Sequence, residues 1–259
     1  MKRTFLNLFI CVSFLFGIVS ASAETIDPPS YVVLSLIGDN LSLVAYHGAT
    51  GSNLSPTRKE LVQISTPVFD DSAVQGAAEA ITQFQSNATE KLISTNAPVL
   101  YKLQNEIFAS SSDGKAARET IRTMLKDMRA SRLIVITKYE SDAHLKLPAL
   151  YAFAGSGKLD GIGYYIDDFT KVRAESGDKG RGFLSSFAYI RATLLDAKTL
   201  EVIRDQVNAS SEPTLNLRTD LHAWNVLSEE QKAASLQKVV RVAAHDAVSN
   251  LLKTELSSN

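Results

Sequence analysis

The chain has 259 residues, 27 of them basic and 28 acidic, and a single cysteine, Cys11. So even a charge balance argues against a nucleic-acid partner, and the length admits one large or two small domains. One cysteine forms no internal disulfide, and a mature chain lacking it has no thiolate for catalysis or metal ligation.

The first residues come in the order of an export signal. Lys2 and Arg3 precede an apolar run from Phe5 to Val19, and Ala21-Ser22-Ala23 puts small residues where signal peptidase cuts. We therefore expect a signal over 1–23, cleavage after Ala23, a periplasmic location and one mature domain over 24–259. The run is shorter than the ~20 apolar residues that span a bilayer, and no later run is apolar enough, so no integral span is expected after cleavage. Losing Lys2 and Arg3 leaves 25 basic against 28 acidic residues, a net charge near −3.

Tyr31–Ile37 is a continuous β-favouring run, the pattern of a strand buried on both faces. Gly38-Asp39-Asn40 ends it, and Leu41–Tyr46 resumes the signal, which predicts a hairpin. His47–Arg58 reads as a loop and Glu60–Ser65 as a third strand. Asp70 or Asp71 is expected to cap a helix with Val74, Ala77, Ala78, Ile81 and Phe84 on one face. Asn96 and Pro98 open a second helix carrying Leu100, Leu103 and Ile107. Ser110–Gly114 reads as a break. A third helix then turns Ala117, Ile121, Met124, Leu125 and Met128 inward, and Arg132–Tyr139 follows as a strand of a layered α/β unit.

Ser141–Tyr151 has no clear pattern. Between Gly155 and Phe169 the β signal returns, interrupted by Gly161 and Gly163 as at a bulge. Arg173–Gly182 is polar and glycine-rich. It fits a hairpin connection, and Lys179 and Arg181 make it a candidate anion- or ligand-binding loop. Phe187–Ser210 reads as strand, turn and strand, with Ala188, Ile190, Ala192 and Leu194 on one face and Asp196–Thr199 as the turn. Pro213–Leu227 is irregular and holds the one tryptophan, Trp224. Ser228 and Gln231 form a capping box, behind which Leu236, Val240, Ala243, Ala244, Ala247, Val248 and Leu251 make the stripe of a long helix. If that helix covers the hairpin, Ile190 and Leu194 must pack near Val240 or Ala247. The fold class expected is α/β (α+β): a mixed β-sheet with an antiparallel hairpin, helices packed on it and a long C-terminal amphipathic helix.

Templates for catalysis match poorly. His47, His144, His222 and His245 occur singly, so no metal site is expected. Gly155-Ser-Gly157-Lys158 lacks both the first glycine of a phosphate loop and its Ser or Thr after the lysine, and no cofactor is expected. Tyr165-Ile-Asp-Asp168 matches a four-letter polymerase signature without a nucleotide-binding context. There is no Gly-x-Ser-x-Gly, and Ser-x-x-Lys recurs three times without a Lys-Thr-Gly companion. Asp39, at the end of the first strand, is the best enzymatic candidate, with His47 as its nearest histidine in sequence.

The order of early strands, helices, strand, a hairpin reading Leu-x-Asp-Ala-x-Thr (Leu194–Thr199) and an alanine-rich helix resembles the periplasmic domains of curli secretion-channel lipoproteins and the TolB amino-terminal domain. The resemblance covers about Met124–Leu252. It implies a small mixed sheet used for assembly or partner binding in the bacterial envelope, without catalysis. Leu200 departs from it, standing where those domains place glycine. The expectation is thus a soluble periplasmic binding or assembly module whose partners are envelope proteins or a small ligand, with no nucleic acid. A metal-assisted periplasmic hydrolase acting through Asp39 is the alternative.

Overall fold

A computed structural model describes residues 28–48, 56–95, 97–109, 111–147, 153–218 and 220–256. The expected signal segment and its cleavage site lie outside them, as does Asn96. The first half of the chain runs β1 (Ser30–Ser35), β2 (Asn40–Tyr46), β3 (Thr57–Gln63), α1 (Val68–Phe84), β4 (Thr89–Ser94), α2 (Pro98–Lys102), α3 (Ser112–Leu125) and β5 (Arg132–Lys138). Three short strands follow, β6 (Glu140–Asp142), β7 (Leu145–Lys146) and β8 (Phe153–Ala154). The long β9 (Lys158–Arg173), β10 (Lys179–Asp196) and β11 (Val202–Leu215) precede a 3-10 turn at Ala223–Val226 and the closing helix α4 (Glu229–Leu256). The class is the mixed α+β one expected, with the C-terminal helix packed on the sheet.

The predicted hairpin between the first two strands does not form. β1 lies in parallel between β4 and β5, whereas β2 pairs with β3 and β9. The reason is a fork. β10 pairs with β11 from Phe183 to Leu195 along one edge, and its other edge carries β9 as far as Tyr189 and then β5 from Ile190 onward. A strand has only two edges, so the sheet divides there into an arm β9–β2–β3 and an arm β5–β1–β4. Gly38 and Asp39 carry the chain from one arm to the other without reversing it. Gly161, at φ +66°, makes the room: a Cβ there would overlap the Lys138 side chain, and its N–H donates to Tyr139 O at 3.1 Å.

Three apolar clusters fill the layers. Tyr31, Val33, Ile134, Ile136, Ile162, Ala188, Ile190, Ala192 and Leu194 meet α1 and α4 on one face, and the same cluster holds Val240 and Ala247, as the long-helix expectation required. On the other face, α2 and α3 cover the β5–β1–β4 arm through Leu100, Ala117 and Ile121. The remaining arm is covered near Leu145 and Leu147, which meet Val44, Tyr165, Phe183 and Phe187. At 1.5 Å per residue the 28 residues of α4 reach about 42 Å, enough to cross both arms.

Several boundaries differ from the sequence reading. β4 was not expected, because Thr89–Ser94 mixes charge and apolar residues as an exposed edge does. Pro67 is the N-cap of α1, and Asp70 and Asp71 fall inside its first turn. α3 starts within the predicted break, where Ser111 Oγ accepts from Gly114 N at 3.0 Å. α2 has five residues. β11 runs on through Pro213, which an edge strand tolerates. Ser228 and Gln231 do form the reciprocal cap, with Ser228 N donating to Gln231 Oε1 at 2.9 Å and Gln231 N to Ser228 Oγ at 3.3 Å.

Candidate functional site

The carboxyl end of β1 gathers a set of engaged polar groups around one buried carboxyl. Asp70 is fully buried there. Its Oδ1 accepts from Ser35 Oγ at 2.6 Å, Ile37 N at 3.0 Å and Gly38 N at 3.2 Å, and the Tyr101 hydroxyl stands 2.7 Å from Oδ2. Burial pushes this carboxyl above its ordinary range, and the four hydrogen bonds pull it only part of the way back. Burial and the Asp70 carboxyl together push the Tyr101 phenol up. The same hydroxyl is 2.8 Å from Thr95 O, so one proton faces two oxygens. A Cβ at Gly38 would overlap the Asp70 carboxyl, so a larger residue at that crossing would displace it from its partners.

Beside this hub lies the Asp39 candidate. Its Oδ1 is 2.5 Å from Lys138 Nζ, which also donates to Asn40 O at 3.0 Å and Asn40 Oδ1 at 2.8 Å. Lys138 thereby closes the fork from inside, and Asp39 is tied to a structural cation. A cavity of about 620 Å³ opens here, lined by Asp39, Gln63, Ile64, Pro67, Pro98 and Tyr101. His47 does not approach it. Asp39 and His47 flank β2 at its two ends, roughly 26 Å apart at strand rise. Elsewhere His222 Nε2 sits 2.7 Å from Asp168 Oδ2, and His245 meets Asp246 and Gln83. Among the described residues no three His, Cys, Asp or Glu side chains converge as metal ligands.

Lys179 and Arg181 lie at the far end of the molecule, on the β9–β10 ribbon. The connection shrinks to residues 174–178, because β9 continues to Arg173 and β10 begins at Lys179. Within it Ala174 N donates to Asp178 O and Gly177 N to Ala174 O, and on β10 Arg181 N donates to Asn216 O. The Arg181 guanidinium lies over the Phe169 ring, 5.7 Å from its centroid. Asp70 escaped the sequence reading because an Asp near a helix start looks like a cap. Nothing local announced its partners Ser35 and Tyr101, which are 35 and 31 positions away.

The sheet also ends in unpaired strands. β3 pairs only with β2 among the described residues, and six of its seven residues are exposed, including Leu61 at 53 % and Val62 at 38 %. β4 is the opposite edge, with Leu92 exposed.

No protein-family model matches the sequence, and no curated protein matches it. Solved structures to which the chain is similar include protein XCC0632 of the DUF330 family from Xanthomonas campestris, at 9 % identity and TM-score 0.39, covering 90 % of this chain and 88 % of that one. A PelC dodecamer from Paraburkholderia phytofirmans follows at 8 % and 0.30, covering 88 % and 90 %. Lipoprotein GNA1162 from Neisseria meningitidis stands at 9 % and 0.29, covering 89 % and 94 %. These comparisons do not show the resemblance to curli secretion-channel or TolB domains. Among the described residues no helix is long and apolar enough to cross a membrane.

Proposed function

We propose that this protein is an exported, non-catalytic binding or assembly module of the bacterial envelope, and that it takes a partner by strand addition at the β3 edge. The observation that carries the reading is β3 itself: seven residues, paired on one side only among the described residues, with Leu61 and Val62 exposed. The free N–H and C=O groups of such an edge template pairing with another chain; Arg58, Lys59 and Glu60 guard one half of β3 with charge, and the Leu61–Val62 half carries none. An extended segment added there gains main-chain hydrogen bonds, and apolar side chains on either face supply contact area. The engagement of Asp39 by Lys138 and of Asp70 by Ser35, Ile37, Gly38 and Tyr101 supports a structural use of the carboxyl groups at the β1 end. The order of charge, apolar run and small residues over 1–23 supports export.

The test is a double substitution, Leu61→Lys with Val62→Lys, which charges both faces of the edge. Size-exclusion chromatography of gently solubilised envelopes is expected to show the wild-type chain in a larger species and the variant released from it, with thermal midpoints alike. Equal elution of the two proteins overturns the strand-addition reading.

A further inference from the structure

The tip of the β9–β10 ribbon carries a feature the edge-binding reading does not use. Beyond the pairs Tyr46↔Asp167 and Phe183↔Leu215 no other strand flanks it among the described residues, and only the backbone of Asn216 still bonds β10, at Arg181 N and Gly182 O, so the two strands project past the sheet. In this extension Lys179 stands directly opposite Arg173, and Arg181 directly opposite Lys171. Directly opposed residues of an antiparallel pair share a face, as do residues two apart on one strand. All four cations therefore lie on one face of the ribbon, and all four are exposed. The opposite face is the anchored one. Val172 is buried in the cluster with Phe183 and Phe187, and a Cβ on Gly180 would overlap Asn216 O.

Like charges placed opposite each other oppose strand pairing, and here it happens twice in succession. No described acidic side chain relieves it by an ion pair. Asp167 receives Phe169 N, Thr170 N and Thr170 Oγ1, and Asp168 is held by His222 and Ala223 N. Glu175 and Asp178 lie in the turn, where Asp178 accepts from Ser176. The segment 169–181 keeps a net charge of +2 on a chain whose total is −1, so the tip opposes the sign of the whole. Next to the cations the Phe169 ring is exposed, in a T-shaped contact with Tyr46 and with Arg181 above it.

We infer that this basic, aromatic-tipped ribbon docks on an anionic phospholipid surface, its four cations on the headgroup phosphates and Phe169 at the headgroup–acyl boundary. Arg and Lys near such a surface each add binding, arginine offers a two-pronged donor to phosphate, and an exposed aromatic suits the interface. A soluble polyanion would use the cations and leave Phe169 without a role. The inference is independent of the β3 edge.

The experiment is vesicle flotation of the full chain, comparing phosphatidylcholine with an equimolar phosphatidylcholine–phosphatidylglycerol mixture. Every protein compared carries the same amino-terminal run, so its contribution cancels. Lys171→Ser, Arg173→Ser and Lys179→Ser together are expected to weaken binding to the anionic vesicles on the order of 100-fold. The triple variant should be at least as heat-stable as the wild type, because repulsion has been removed. Lys115→Ser with Lys126→Ser, exposed on α3 and just past its end, should bind as the wild type does. Phe169→Ala should weaken vesicle binding and leave heparin binding unchanged. Equal binding of the triple variant and the wild type overturns the inference, as does a triple variant less stable than the wild type. Vesicle binding that is indifferent to Phe169→Ala and abolished by heparin makes a soluble polyanion the partner, and overturns it too.

Discussion

Asp70 shows how one buried side chain can organise three segments. The Tyr101 hydroxyl lies within bonding distance of both Asp70 Oδ2 and Thr95 O, yet has one proton. A neutral Asp70 resolves this: its own proton on Oδ2 goes to the Tyr101 oxygen, and Tyr101 donates to Thr95 O. Burial, which pushes the Asp70 carboxyl up, favours that state. Asn at this position can accept the three bonds on Oδ1 and donate to Tyr101, so Asp70→Asn should change stability by less than about 1 kcal/mol. Asp70→Ala leaves Ser35 Oγ, Ile37 N and Gly38 N without their acceptor and should cost about 3 kcal/mol or more. The folded-state pKa lies above the unfolded one. The stability Asp70 contributes is thus complete below the ordinary carboxylate range and declines as pH rises through the raised value. Urea midpoints across that range should show the decline in the wild type and lose its Asp70 part in Asp70→Asn.

Leu200 answers a second question at the same scale. Its φ is +60°, so the turn is left-handed and glycine would relieve about 1 kcal/mol of backbone strain. Its side chain, however, is only 6 % exposed and packs in the cluster with Leu195 and Leu133. Losing a buried leucine costs about 2–5 kcal/mol. Leu200→Gly should therefore destabilise by a net amount of about 2 kcal/mol in urea denaturation, and a gain would show the strain to dominate.

Among the elements, α1 and α4 approach closely at Gly76, where a Cβ would overlap Arg241 O and crowd His245 N. Arg241 pairs with Glu79 across the same crossing. Helix propensity alone predicts that Gly76→Ala gains about 1 kcal/mol, whereas overlap at a packed crossing predicts a loss of about 1–3 kcal/mol. We expect the loss, read as a lower urea midpoint. α4 itself was legible in the sequence because its stripe and its cap at Ser228 and Gln231 are local. The β10–β11 hairpin was legible for the same reason, through period-two alternation and Asp196 Oδ1, which accepts from Lys198 N and Thr199 N at 2.9 Å. β1 was read as buried on both faces, yet its partners were not, since β4 and β5 lie about 60 and 100 residues further on. Pairing depends on the fork, and the fork depends on Gly161 yielding space to Lys138. No window of neighbouring residues reports that. The basic tip is the opposite case: Lys171, Arg173, Lys179 and Arg181 alternate about a short polar turn, and their shared face could have been read from spacing.

At the scale of the molecule, the fork and the open edges explain one another. Dividing the sheet at β10 gives two arms, each ending in a strand that nothing pairs on its outer side among the described residues, β3 on one and β4 on the other. α1 and α4 hold the arms together from one face, while α2 and α3 cover only one arm on the other. The candidate site was legible only in part. Asp39 was found from its place at a strand end, but its engagement by Lys138 required the fork, and β3 read simply as a strand with no hint that it ends the sheet. The most direct measurement of the proposed function is site-specific photocrosslinking in the native cells, with the reactive side chain at Leu61 and, as reference, at Lys115 on α3. A discrete heavier product with an envelope protein is expected from Leu61 and none from Lys115. No product from Leu61, or the same products from both positions, would contradict the proposed function.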